Sequence, residues 1–134
     1  MTIELRMLAL SVVLGFVHII LASHAKSRVY GYRWSAGPRD EQKPALPAIA
    51  GRLDRALHNF GETFPLFAAA VIVTHLAGRH DALTEWGAQL YFWARVVYLP
   101  LYVFGIWLVR SLVWNVAALG IFLLLIALVW PVGH

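Results

Sequence analysis

Residues 52–67 read RLDRALHNFGETFPLF. Two arginines run straight into an apolar stretch, and Asn59 and Glu62 follow inside it. Arg55, Asn59 and Glu62 are spaced i, i+4, i+7, and Arg52 precedes Arg55 by three. All four therefore share one face of a helix. An inert membrane helix would carry leucine at such places, so the reading of the chain turns on what surrounds this stretch.

The surroundings are those of a membrane protein. Of the 134 residues, 60% are hydrophobic and 13% charged, and mean hydropathy is +0.69. A soluble domain is about half apolar and roughly a quarter charged. The length suits one unit, residues 1–134, with no internal repeat or low-complexity tract. Cysteine is absent, which excludes disulfides, thiolate nucleophiles and Cys-based metal sites.

A spanning helix needs about 20 mostly apolar residues. Four segments meet this, at about 5–25, 52–77, 84–109 and 111–131. The first ends on Ser23-His24-Ala25, a small-x-small pattern like a signal-peptide cleavage site. Glu4 beside Arg6 and the long apolar run favour a retained helix. The fold class is all-α, an integral membrane four-helix bundle. The connection over 26–55 carries Lys26, Arg28, Arg33, Arg39, Lys43, Arg52 and Arg55 against Asp40, Glu41 and Asp54. The third connection carries Arg110. Positive charge marks the cytoplasmic side, so both connections face the cytoplasm and both termini face outward. Gly31, Gly37, Pro38, Pro44 and Pro47 make the first connection a loop, with the next helix starting near Ala50 or Gly51. Arg52 and Arg55 can lie at headgroup depth, where long stems let the charge reach water.

Asn59 and Glu62 lie deeper. The third span repeats their pattern, with Tyr91, Arg95, Tyr98 and Tyr102 at i, i+4, i+7 and i+11. A charge inside a span is costly unless paired, and Glu62 is the natural partner for Arg95. Two readings stand. The stripes can hold helices together by hydrogen bonds alone. Alternatively, the surplus of arginine over Glu62, beside a row of tyrosine hydroxyls, suits an anionic ligand with carboxylates that accept bidentate contacts.

The remaining polar residues fit structural roles. His18 is a packed or interfacial histidine, and His58 flanks the stripe. His24, His75, His80 and His134 lie near span ends without metal-ligand spacing. Asn115 suits a helix–helix hydrogen bond. Trp34, Trp86, Trp114 and Trp130 suit interfacial belts. Pro65 and Pro100, inside spans, should kink them. No Gly-rich phosphate loop, no Ser-His-Asp ordering and no basic-aromatic pattern for nucleic acid is present, and no inverted repeat points to a transporter.

RALHNFGETFPLF (55–67) resembles the second-helix signature Arg-Ala-x-x-Asn-x-x-Glu-x-x-Pro-x-Phe of the MAPEG family, the membrane-associated proteins of eicosanoid and glutathione metabolism. Every fixed position matches. YFWARVVYLPLY (91–102) is similar to the family's third-helix segment, with Arg followed by Tyr at +3 and +7. The resemblance covers essentially the whole chain. It implies a homotrimer of left-handed four-helix bundles that binds glutathione between subunits near the cytoplasmic side. Arg55, Asn59 and Glu62 match the residues that hold the tripeptide in catalytic members, and Arg95, Tyr98 and Tyr102 match those that complete the pocket. Arg52 matches a basic position at the helix start, and Lys26 or Arg28 could fill another at the end of the first helix.

Catalytic members place an Arg or polar group later in the third helix to stabilise the thiolate. The corresponding stretch here, VFGIWLVRSLVW (103–114), is apolar up to Arg110 and Ser111. Arg110, offset by about one residue, is the candidate thiolate partner, with Tyr98 and Tyr102 as alternatives. GPRDE (37–41), PLYVFGI (100–106) and RSLVW (110–114) look like a bacterial branch of the family, which implies an inner-membrane location. The function implied is a glutathione-dependent transferase or peroxidase acting on a lipophilic substrate that arrives from the membrane lipid. The alternative is a non-catalytic bundle that binds an anionic lipid or small molecule.

Overall fold

The computed structural model describes residues 1–130, and within them the chain is helical with no strand. Helix α1 spans Ile3–Tyr30, α2 Tyr32–Ala36, α3 Ala48–Leu76, α4 Ala82–Val103 and α5 Trp107–Val129. The last residue of the fourth expected span, Pro131, lies outside the described residues, as does His134.

Helix ends follow local chemistry. Thr2 caps α1, its hydroxyl accepting from the Leu5 amide at 3.2 Å, and Gly31 ends it with φ 98. Asp81 and Thr84 form a reciprocal capping box on α4, each side chain accepting the other's backbone N–H at 3.0 Å. Helix α4 stops at Val103, because Gly105 adopts φ 74 and turns the chain into α5 within three residues.

Two expectations are corrected here. The first connection is partly helical: α1 continues five residues past 25 and α2 occupies part of the expected loop, while 37–47 is not helical and α3 starts at Ala48, close to the expected position. The third connection is Phe104–Ile106, and Arg110 sits in the first turns of α5. The apolar run from Val103 to Val109 hides this break, because Gly105 is the one residue in it that signals a turn. Pro65 and Pro100 lie within α3 and α4, and neither helix ends at its proline.

Helices α1, α3 and α5 are long and apolar enough to cross a membrane. Helix α4, at 22 residues, has the length, but Gln89, Arg95 and its many Trp and Tyr lower its hydropathy. Outward faces are apolar, as lipid contact requires: Val13, Phe16 and Ile20 on α1 and Phe122, Leu125 and Val129 on α5 are all exposed.

The most extensive pairing joins α4 to α5. Its centre is a backbone-to-backbone contact. A Cβ on Gly120 would lie 2.5 Å from the Gly87 carbonyl oxygen, and one on Gly87 would lie 2.7 Å from that of Gly120. Without an apolar driving force between helices in lipid, such close approach gains dispersion contacts. Helices α1 and α3 meet where His18 stacks on Phe60 at 4.8 Å. The core between α3 and α4 is the Phe67–Tyr91 stack, 4.0 Å between centroids, with Tyr91 bonded to the Thr63 hydroxyl at 3.0 Å. On α1, Glu4 is buried against α4, where it accepts a hydrogen bond from the Thr84 hydroxyl.

Candidate functional site

The polar stripe on α3 splits along its length. At about 100° per residue, Asn59 and Arg52 lie roughly 40° and 60° round from Arg55 on one side, and Glu62 about 20° on the other. The inner pair is half-buried and engages α4, whereas Arg55 and Glu62 are exposed. Arg52 donates from Nη1 to the Val103 carbonyl at 3.1 Å, and its guanidinium lies against Gly105. It thus holds the end of α4 where the chain turns.

Asn59 reaches Arg95. The Nη1 of Arg95 donates to the Asn59 Oδ1 at 2.7 Å. The expected Glu62–Arg95 pair does not form among the described residues, because Asn59 occupies the turn of α3 that faces α4 and Glu62 is rotated to the outer edge. Arg95 is fully buried. Its guanidinium sits 4.2 Å from the Tyr98 ring centroid and 5.5 Å from that of Phe60, so π faces and an amide, rather than a carboxylate, surround the charge. Nε and Nη2 of Arg95 have no partner among the described residues, and neither has either ring nitrogen of buried His18.

A depression of about 430 Å³ opens beside this pair, between α3, the end of α4 and the start of α5. Asn59, Tyr98, Tyr102, Arg110, Ser111, Trp114 and Asn115 line it. Arg110 stacks on Tyr102, 4.6 Å from the ring centroid, and Tyr102 packs on Tyr98 at 5.6 Å. With Asn59 Oδ1 engaged by Arg95, its amide NH₂ is the polar group left for this space. The site therefore offers a guanidinium, an amide and two phenols, a set suited to an anion.

The other expected residues lie elsewhere. Tyr91 belongs to the core. Lys26 on α1 pairs with Asp54 on α3 at 3.0 Å, one residue from Arg55, while Arg28 is exposed. Neither they nor Arg52, Arg55, Glu62 or Arg95 line the depression. Ser111 and Trp114 were not anticipated. With α5 starting at Trp107, Arg110 and Trp114 are one turn apart on one face, a spacing that a helix starting at 111 conceals. Asn115 bonds its own helix, its amide donating to the Ser111 carbonyl at 2.8 Å, instead of bridging two helices. Trp114 is half-buried with its Nε1 unpartnered among the described residues.

An apolar groove of about 450 Å³ runs from there between α3 and α5. Leu66, Val73, Phe122 and Leu125 wall it, and Thr63 and Trp114 stand at its polar end. Trp114 lines both spaces.

The family model described as MAPEG family matches residues 7–130. None of the curated proteins and none of the solved structures matches the chain.

Proposed function

This chain belongs to the MAPEG family, and we propose that it is a membrane-bound, glutathione-dependent transferase or peroxidase acting on lipophilic electrophiles. The observation that carries this reading is the depression in which Arg110, Tyr98, Tyr102 and Asn59 converge at the end of an apolar groove. Family membership and three apolar helices make the chain an integral membrane protein. In this reading α4 is the fourth span, its buried arginine screened by Asn59 and two aromatic rings. Both termini face outward, the basic first connection faces the cytoplasm, and the membrane is the bacterial inner membrane.

The exposed flank of α3 supports assembly. Arg55 and Glu62 facing lipid would be costly. Two further copies, in a homotrimer, cover that flank and bring these charges to the site. Arg55, Arg52 and Lys26 or Arg28 then bind the carboxylates of glutathione by charge-assisted hydrogen bonds, and Glu62 accepts from its amino group. Glutathione supplies a thiol whose thiolate is the reactive form. Arg110 favours the thiolate by its charge, and Tyr102, stacked beneath it, fixes its position. Arg95 acts from behind, by orienting Asn59 and Tyr98. The groove between α3 and α5 receives the lipophilic co-substrate laterally from the bilayer, with its reacting end at Trp114.

Purified protein in detergent is assayed for conjugation of glutathione to an aryl halide and for reduction of a lipid hydroperoxide, alongside a glutathione-induced thermal shift. Turnover above background with a positive shift supports the reading. Absence of both leaves a non-catalytic membrane protein.

A further inference from the structure

The formal net charge of +4 is held by residues 26–55 alone: seven cations stand there against three acids, and elsewhere four cations meet four acids. Within this segment Lys26 is matched by Asp54 and Lys43 by Glu41 at 3.3 Å. Within residues 26–55 Asp40 is then the one acid without a paired cation, against Arg33 and Arg39, which the glutathione reading does not use.

The segment is built, not loose. The Tyr30 hydroxyl donates to the Pro44 carbonyl, and the Trp34 indole N–H donates to the Glu41 carbonyl at 3.3 Å. Tyr30 and Trp34 pack edge to face at 4.9 Å. Arg39 takes φ 62, donates from Nε and Nη2 to the Ser35 carbonyl at 3.0 and 2.9 Å, and lies 5.4 Å from the Trp34 ring centroid. The chain from Gly37 to Lys43 is thereby folded over α2 into a depression of about 400 Å³, with Arg33, Arg39 and Lys43 in its wall beside Asp40 and Glu41, of which Glu41 is already paired with Lys43.

Its depth in the membrane follows from length. At about 1.5 Å per residue, the 28 residues of α1 reach about 42 Å, beyond the roughly 30 Å hydrocarbon core. The last turns of α1, ending on Tyr30, with Tyr32 and Trp34 beyond, therefore fall at the headgroup layer, where aromatic side chains settle. Cations clustered just outside a span attract anionic lipid.

We propose that this depression binds the phosphate headgroup of an anionic membrane lipid. Arg33, exposed and without a side-chain hydrogen bond or ion pair among the described residues, closes on the phosphate. Arg39, fixed on Trp34, forms the preset wall. The site is separate from the glutathione reading and stands without it.

The full chain is delipidated in detergent and titrated with mixed micelles containing phosphatidylglycerol or phosphatidylcholine. Bound lipid is counted by native mass spectrometry, and the melting temperature is followed. Phosphatidylglycerol should bind and stabilise, phosphatidylcholine should not, and Arg33→Gln should weaken binding about fivefold. The double variant R33Q/R39Q should lose the preference. Arg79→Gln, an equal charge change in the α3–α4 connection, should keep it. Equal response to both lipids, a preference retained in R33Q/R39Q, or loss of it in R79Q would overturn the proposal. So would an equal shift produced by inorganic phosphate alone, which would mark a site for soluble anions.

Discussion

The amide of Asn59 is held by the guanidinium of Arg95 across 2.7 Å, one from α3 and the other from α4. It is the single side-chain hydrogen bond that Arg95 makes among the described residues, and it secures a fully buried charge. The pair links the buried contact between α3 and α4 to the polar depression, because Asn59 lines that depression and Arg95 does not.

Removing the amide should therefore cost more than removing both groups. Asn59→Leu leaves a buried guanidinium with π faces alone, a loss of about 3 kcal/mol. The N59L/R95M double variant replaces both partners with apolar side chains and should recover much of that loss. Thermal unfolding in detergent measures the difference; a double variant less stable than N59L would contradict it.

The Gly87–Gly120 crossing predicts a sharp contrast among glycines. Gly120→Ala drives a methyl to 2.5 Å from a carbonyl oxygen that cannot rotate away, and should destabilise by about 1–3 kcal/mol. Gly15→Ala meets the edge of the Phe60 ring at 3.1 Å, which can shift by tenths of an ångström, so its effect should be smaller. The two melting temperatures decide it.

Glu4 is buried beneath the start of α4, with the Thr84 hydroxyl as donor and His80 Nδ1 at 3.7 Å. Glu4→Gln keeps an acceptor in place and should be mild. Thr84→Val removes both that donor and half of the capping box, and should cost about 2 kcal/mol or more. Protease sensitivity of the α3–α4 connection should rise in T84V and not in E4Q.

Arg110 tests the chemistry. On the proposed function, Arg110→Ala should lower turnover about 100-fold or more, the scale of losing one charge-stabilising donor, with glutathione affinity nearly unchanged. Tyr102→Phe keeps the ring under Arg110 and should lose far less. Initial-rate kinetics with varied glutathione separates the two effects.

Glu62 separates ligand binding from scaffolding. Glu62→Gln should retain the assembled oligomer, read by light scattering in detergent, and lose the glutathione thermal shift. An oligomer that falls apart would assign Glu62 to assembly alone.

The linear chain determined the membrane class, the helical segments, the basic connection and the stripe Arg52–Arg55–Asn59–Glu62, because each depends on composition or on the fixed angle between successive helical residues. That angle also sets the order of side chains around α3, with Glu62 at one edge and Asn59 and Arg52 toward the other. It does not set the rotation of α3 against its neighbours. Packing decides that: Phe60 against His18, Phe67 against Tyr91, and the glycine crossing that draws α5 onto α4. Only this tertiary fit turned Asn59 inward to Arg95 and left Glu62 outside. The early stop of α4 at Val103, before the turn at Gly105, puts Arg110 on α5 beside Trp114 and was likewise a matter of the folded chain, since one left-handed glycine in an apolar run leaves no trace in periodicity.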